Sequence, residues 1–267
     1  MTDGIAKRSP SSWRPARRWC AGVAALLLVA ALVPPVSVWA GRDEYAEALR
    51  FSIFAIVVPA MIVIGAPWGL VGPLARRTGA LAEGRRRHPE LVRSIAFLVA
   101  DLVVVVAWRT PTLVDAVSRR RWLALGEAAS LVVAGVGLWL ELVESPPMAP
   151  RSPRPRRVVL AALAMWTLWT LAYIEAMAQS PWYQGFHHVA GTGLSAASDR
   201  QVSAVVVWAM AALAFMPVIF WNLVQWLRSE DDPDDELYRL LREERRRSTG
   251  VLESAGDPTT APPETSL

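Results

Sequence analysis

The chain has little of the chemistry on which most enzymes rely. Among its 267 residues there are one cysteine, Cys20, one lysine, Lys7, and three histidines. A single cysteine excludes a disulfide framework within the chain and a zinc site built from several of its thiolates. No phosphate-binding glycine loop, nucleophile elbow or HExxH segment occurs in the sequence. We therefore predict that the protein is not an enzyme and has no catalytic residues.

Charge is also scarce, and long apolar runs take its place. Charged residues make up 19% of the chain and hydrophobic residues 53%. Several runs reach the ~20 residues that cross a bilayer as a helix. We predict six spans, at about Trp19–Trp39, Leu49–Leu70, Val92–Trp108, Trp122–Val143, Val158–Met177 and Ser203–Leu227. The predicted fold class is all-α, a polytopic membrane helix bundle over residues 19–227, with membrane lipids as its surroundings.

The two ends of the chain differ from this apolar part. Residues 1–18 are basic, and a basic start before an apolar run is also typical of a signal peptide. The length of the following run and Pro34-Pro35 favour a first span instead. After the last span, we predict a short cytoplasmic helix over 228–248, because Pro233 fits a first helical turn and arginines fill the last. Residues 249–267 lack periodicity and are predicted to be disordered.

The distribution of basic residues predicts the orientation in the membrane. The N-terminus and the loops 76–93 and 151–157 together carry fifteen basic residues, against seven in the alternate loops. Cytoplasmic loops are enriched in arginine and lysine, so we predict a bacterial-type plasma membrane protein with both termini in the cytoplasm. The loop Arg109–Arg121 departs from this pattern with four arginines. Because the arginines lie in short loops, nucleic acid is not an expected partner.

Ionisable residues inside the apolar runs are the first candidates for a site. Asp101 and Glu127 lie ~10 Å below the ends of their spans, at 1.5 Å per residue. Buried charges at this depth are costly and usually face the bundle, where they find a partner. One hypothesis is a polar pocket near the outer surface, formed by Asp101, Glu127, Arg109 and Glu47. The alternative is a structural ion pair between Arg109 and a carboxylate, which would fix the register of the helices.

Two further features of the sequence bear on sites and interfaces. The adjacent His187 and His188 are weak candidates for a metal site, since tight sites use three or four ligands. Several tryptophans, Trp108 and Trp139 among them, fall near predicted span ends, as an aromatic belt at the membrane interface requires.

Four short motifs occur in order along the chain. They are Gly65-Ala66-Pro67 preceded by Pro59; Trp108-Arg109-Thr110-Pro111 followed by Asp115; Glu127 followed by Gly135 and Trp139; and Gly193-Leu194-Ser195 followed by Asp199-Arg200-Gln201 and Trp208. Together they resemble the CtaG family of membrane proteins, assembly factors for cytochrome c oxidase implicated in delivering copper to it. The resemblance covers roughly Arg42 to Arg228. With it, the candidates for a polar pocket or partner binding are Glu47, Asp101, Arg109, Asp115, Glu127 and Asp199.

The resemblance implies histidines at five positions where this chain has none. Those positions are filled by Glu47, Phe51, Arg109, Ala124 and Ala128. Carboxylates and guanidinium groups are poor ligands for cuprous copper, which prefers cysteine, methionine or imidazole. We therefore expect the scaffold of the family without its normal copper site, and no bound cofactor.

Three functional hypotheses follow. The first is a membrane protein that supports assembly of a respiratory oxidase, with cytochrome c oxidase subunits as its partners. The second is a transporter or proton-coupled permease that uses Asp101 and Glu127, and the absence of internal repeats weakens it. The third is a membrane scaffold that recruits a partner through its C-terminal helix.

Overall fold

The computed structural model describes residues 14–69, 90–145, 152–178, 183, 186 and 195–230. These residues form helices and no β-strand. The helices, in chain order, are α1 Arg14–Leu32, α2 Val36–Trp39, α3 Glu44–Gly65, α4 Glu90–Trp108, α5 Pro111–Arg119, α6 Arg121–Leu142, α7 Arg154–Met177 and α8 Ala196–Glu230. A π-helical stretch, Ile53–Val57, lies within α3, and a 3-10 turn, Pro67–Gly69, follows it.

Five of the described helices are long and apolar enough to cross a membrane. They cover Glu44–Gly65, Leu91–Trp108, Trp122–Leu142, Arg154–Met177 and Ala196–Arg228. The 19-residue α1 precedes them. Large apolar side chains such as Val133 and Leu213 are exposed on these helices, as expected where lipid rather than water is the solvent. The prediction of an all-helical bundle with about six membrane helices is confirmed, and the protein is a multi-pass membrane protein.

Several helix boundaries differ from those predicted. The first helix ends at Leu32 instead of Trp39, because the Pro34-Pro35 pair that follows cannot continue it. The linker after Trp108 contains a helix of its own, α5, which begins at Pro111; proline suits this position because its missing N–H would have no helical acceptor. Helix α3 begins at Glu44 instead of Leu49. As a result, charged residues assigned to a loop lie inside a helix.

Helices α3 and α6 form the centre of the bundle. Helix α1 packs against α3, α3 packs against α6, and α4 packs against both α6 and α7. The core between them contains Phe51, Phe54 and Leu138. Trp139 also belongs to this core: it is buried and stacks on Phe215 of α8 with ring centroids 5.2 Å apart. The interface position expected for Trp139 is therefore wrong.

Two glycines allow helices to approach closely. A Cβ atom on Gly65 would lie 2.8 Å from the backbone nitrogen of Ala21 on α1. A Cβ atom on Gly135 of α6 would lie 2.7 Å from the side chain of Pro59 and 3.1 Å from the carbonyl oxygen of Ala55, both on α3. Proline has no N–H for the carbonyl four residues earlier, which here is that of Ala55. Small residues at such contacts are how membrane helices reach van der Waals packing.

Some predicted features lie outside the described residues. These are most of the basic N-terminal segment, His187, His188, Gly193-Leu194, the charged C-terminal helix beyond residue 230, and the tail 249–267. The chain divides into two units, residues 1–223 and 224–267. Of the second unit, the structure describes residues 224–230, which are the end of α8.

Candidate functional site

Five helices bring charged and polar side chains together at one end of the bundle. Helix α4 ends there at Trp108 and α7 at Met177, while α3 and α6 begin there. We call this group the Arg109 cluster, and every member is buried: Glu47, Arg50, Arg109, Glu127, Glu175 and Ser203. A buried charge is tolerated only when it is paired and hydrogen-bonded, so the contacts within the cluster decide what it can do.

Arg109 lies directly after α4 and binds two carboxylates from other helices. Its Nη1 donates to Glu47 Oε2 at 2.7 Å, and its Nη2 donates to Glu175 Oε2. The guanidinium carbon lies 5.1 Å from the ring centroid of Phe51 and 5.4 Å from that of Tyr183. Burial opposes the charge on Arg109, but the carboxylates of Glu175 and Glu47 outweigh burial and raise the pKa of Arg109 above its ordinary value. Arg109 is thus a fixed cation.

A second ion pair lies within the same cluster. Arg50 Nη2 on α3 donates to Glu127 Oε2 on α6 at 3.0 Å. Glu175 completes its hydrogen bonding through its other oxygen, which accepts from the Ser203 hydroxyl of α8 at 2.6 Å. Each carboxylate of the cluster therefore binds a donor from a different helix, and together the contacts fix the register of α3, α4, α6, α7 and α8.

Asp199 of α8 connects to the cluster through the start of α3. Its Oδ2 accepts from the backbone N–H of Glu44 at 2.9 Å, and its Oδ1 accepts from that of Tyr45 at 3.1 Å. The first N–H groups of a helix have no partner within the helix, so a carboxylate from another helix supplies the cap here.

Asp43, which directly precedes α3, is also buried. Burial, and then the negative charge of Asp199, raise the pKa of Asp43 above its ordinary value.

The structure separates the predicted site residues into two sets. Glu47, Arg109 and Glu127 lie in the Arg109 cluster, and Asp199 caps α3 next to it. Asp101 lies eight residues before Arg109 and ~12 Å along α4. It is buried, and no described residue forms a hydrogen bond or ion pair with it. Asp115 lies half-buried on α5, where its carbonyl oxygen accepts from the Ser118 hydroxyl at 2.8 Å.

Sequence reasoning missed Arg50, Glu175, Ser203 and Tyr183. Glu175 lies two residues before the end of its apolar run, which is the same signal that selected Asp101 and Glu127. Arg50 was counted among the basic residues of a loop, although the predicted span Leu49–Leu70 contains it. Nothing local in the sequence selects Ser203 or Tyr183, whose hydroxyl donates to the Arg109 carbonyl at 3.3 Å.

The opposite end of α4 and α6 has a smaller buried cluster. Arg93 Nε donates to Glu141 Oε1 at 2.8 Å, and the Ser94 hydroxyl donates to Glu141 Oε2 at 2.9 Å. Ser152 lies 3.4 Å from the same oxygen. Ion pairs with well-placed hydrogen bonds therefore join helices at both ends of the bundle, and the space between them is mostly apolar.

The fold defines a multi-pass membrane protein whose helices are joined by buried ion pairs. Residues 4–229 match the family model described as cytochrome c oxidase caa3 assembly factor (Caa3_CtaG). The chain belongs to this family, a family of assembly factors and not a class of enzymes, and the predicted resemblance is confirmed. No curated protein and no solved structure matches the chain.

The residues at the five positions where the family resemblance implies histidines do not fit copper. Phe51, Ala124 and Ala128 offer no donor atom, and the side chains of Glu47 and Arg109 bind each other. A guanidinium group carries positive charge where a metal cation would have to lie. Among the described residues, no group of three or more His, Cys, Asp or Glu side chains is placed to hold a metal ion.

Proposed function

We propose that this protein supports assembly of a respiratory cytochrome c oxidase by binding oxidase subunits in the membrane, without loading copper at the positions of the family histidines. One observation carries the second half of this proposal. Those positions hold the Arg109–Glu47 ion pair, whose Nη1–Oε2 distance is 2.7 Å, in place of metal ligands. Membership of an assembly-factor family supports the first half.

The energetics of the Arg109 cluster favour a structural role for it. Removing one partner of a buried ion pair costs ~3–5 kcal/mol, because the other charge is left buried without compensation. A cation entering this site would have to displace Arg109 from both Glu47 and Glu175. The cluster therefore holds the helices in register, and binding of a partner falls to the outer surfaces of the bundle.

The proposal includes an orientation. Fifteen basic residues against seven in the alternate loops support a plasma membrane protein with both termini in the cytoplasm. The start of α3 and the end of α4 then lie toward the outer face of the membrane. Fusions of a reporter active only in the cytoplasm, placed after residue 267 and between residues 109 and 121, test this: the first is expected to be active and the second inactive.

The function is tested with a deletion strain, its complemented derivative and added copper. Reduced-minus-oxidised spectra and oxidase activity of the membranes are measured in each. We expect the oxidase haem signal and activity to fall in the deletion strain, to return with the wild-type chain, and to stay low when excess copper is supplied. Unchanged oxidase in the deletion strain would contradict the assembly role. Rescue by copper alone would contradict the copper-independent part.

Copper binding by the purified full-length protein tests the copper-independent part of the proposal separately from the assembly role. After incubation with cuprous copper under reducing conditions and removal of unbound metal, we expect less than one equivalent of copper to remain bound. A stable equivalent that is lost in the Arg109→Gln variant would place copper at the cluster and overturn the proposal.

The position of Asp101 supports a second candidate function, proton-coupled transport. Charged residues within membrane helices usually mark ion or proton pathways when they are not paired, and Asp101 has no hydrogen bond or ion pair with any described residue. Proteoliposomes with the wild-type chain and with Asp101→Asn, an isosteric neutral substitution, distinguish the two functions. Proton uptake that disappears in Asp101→Asn would favour transport, and equal uptake by both would exclude a role for this carboxyl group.

A further inference from the structure

A cavity beside the Arg109 cluster has no part in the proposed function. Its volume is about 450 Å³, within the ~300–1,000 Å³ of small-ligand sites. It lies where the end of α1, α2, the start of α3, α5 and the start of α6 meet. Apolar residues form much of the lining: Leu32, Val38, Val114, Val117, Leu125 and Phe186. Arg42, Glu47 and Arg50 also line the cavity, so its lining is both apolar and charged.

Two buried charged residues line this cavity, Arg50 and Glu47, and Arg50 is the cation. It lines the cavity and is 6% exposed. Its Nη2 binds Glu127 at 3.0 Å, but its Nε–H is buried and has no hydrogen-bond partner among the described residues. A buried donor without an acceptor costs ~1–3 kcal/mol. Arg50 therefore keeps one unused hydrogen-bond donor at a residue that lines the cavity.

The remaining charged side chains around the cavity are of both signs. Glu47 lines it too, and its carboxylate shares Arg109 with Glu175, the Arg109 Nη1–Glu47 Oε2 distance being 2.7 Å. Arg42 lines the cavity and is exposed. Ser118, at the end of α5, lines it as well, and the exposed Arg119 and Arg120 follow directly in the chain.

Arg119 and Arg120 belong to the loop Arg109–Arg121, whose four arginines depart from the charge distribution that predicts the orientation.

We propose that the cavity binds an anionic phospholipid, with its phosphate at Arg42 and Arg50 and an acyl chain along the apolar residues of the lining. Arginine forms paired, charge-assisted hydrogen bonds with phosphate. Basic side chains next to a membrane attract anionic lipids by ~1 kcal/mol each. The apolar residues of α1, α5 and α6 suit a hydrocarbon chain, which free phosphate does not have. This inference does not depend on the proposed function, since binding is measured without the oxidase.

The test uses the purified full-length protein, delipidated in a neutral detergent, with native mass spectrometry as the readout. Phosphatidylglycerol, phosphatidylcholine and inorganic phosphate are added in separate titrations. We expect at least tenfold tighter binding of phosphatidylglycerol than of phosphatidylcholine, and no competition by millimolar phosphate. Equal binding of the two lipids would overturn recognition of the anionic headgroup. Full competition by phosphate would show a free-anion site and overturn the lipid.

Two variants and one control locate the binding site. Arg42→Gln removes an exposed charge from the cavity, and Ala124→Trp fills the cavity while leaving every charge in place. Both are expected to weaken phosphatidylglycerol binding severalfold or more, with an unchanged melting temperature for Arg42→Gln. The matched control is Arg18→Gln, an exposed arginine on α1 that does not line the cavity. Equal loss in Arg42→Gln and Arg18→Gln would show non-specific charge attraction and overturn the site.

Discussion

Arg109 shows how one buried residue can join several helices. It follows α4 and binds carboxylates from α3 and α7, while the rings of Phe51 and Tyr183 lie near its guanidinium group. It does so through charge-assisted hydrogen bonds, which are stronger than neutral ones.

The Arg109→Gln variant tests how much Arg109 contributes to the stability of the fold. We expect the free energy of unfolding in detergent to fall by ~3–5 kcal/mol, because Glu47 and Glu175 lose their common partner in a buried site. Denaturant titration followed by tryptophan fluorescence measures it. The exposed Arg119→Gln is the matched control and is expected to change stability by less than ~0.5 kcal/mol. A similar small effect in both variants would contradict the structural role of Arg109.

Asp43 gives the stability of the protein a specific dependence on pH. Burial and the nearby Asp199 raise the pKa of Asp43 in the folded state, so the folded state binds its proton more tightly than the unfolded chain does. Its favourable contribution is complete below the unfolded pKa of ~3.9 and is lost as the pH rises through the folded pKa. The Asp43→Asn variant has no ionisable group here and so avoids the loss of stability at higher pH. Its amide oxygen can still accept a hydrogen bond.

We therefore expect Asp43→Asn to be more stable than the wild type at pH 7, with the difference shrinking toward zero as the pH falls below ~4. Thermal unfolding of both proteins between pH 3 and pH 7 measures this difference. An advantage that is constant across this range would show that the effect does not come from titration of Asp43.

The residues of the cluster could be predicted from the sequence only in part. Glu127 and Arg109 were visible because an ionisable residue within or beside an apolar run needs a partner. Their partners were not, since Arg50 and Glu127 are 77 residues apart in sequence. Which carboxylate meets which guanidinium depends on how the helices are placed, and local patterns carry no information about that placement.

At the scale of elements, close helix contacts depend on single glycines. Gly65→Ala would put a Cβ atom 2.8 Å from the backbone of Ala21, where no flexible side chain can move aside. We expect a loss of ~1–3 kcal/mol in the free energy of unfolding, as for other overpacked sites. Gly126→Ala is the matched control, since a Cβ there meets nothing within 4 Å. It should be neutral or stabilising by up to ~1 kcal/mol, from helix propensity.

Equal destabilisation by the two glycine substitutions would contradict the close approach of α1 and α3.

Sequence patterns do not show which glycines lie at close helix contacts. Gly126 and Gly135 are both on α6, yet only Gly135 faces a neighbouring helix at short distance. The start of α3 was misplaced for a related reason: charged residues normally indicate a loop, but Glu44, Glu47 and Arg50 are buried in the helix.

At the scale of the whole molecule, the fold class could be predicted because a bilayer imposes a length on every span. Backbone groups in hydrocarbon must be satisfied within a helix, so apolar length alone gives the approximate number and limits of the spans. The short helices α2 and α5 could not be predicted from apolar length, since neither is long enough to span a bilayer.

Removing residues 231–267 separates the assembly hypothesis from that of a scaffold acting through its C-terminal segment. The family match ends at residue 229, so we expect the truncated chain to restore oxidase activity in the deletion strain as well as the full chain does. Immunoblotting of the membranes controls for equal protein levels. Lost oxidase activity at a normal protein level would favour the scaffold.

The contact between Pro59 and Gly135 has a consequence for how this chain can change over generations. The two residues share one space, because the proline ring lies where a Cβ atom of residue 135 would be. Loss of the ring at 59 removes the closest contacts of a Cβ atom at 135 and returns an N–H for the carbonyl of Ala55, which lies 3.1 Å from that atom. The two positions are therefore expected to diverge as a pair among descendants, with substitution at 59 favoured as the first step.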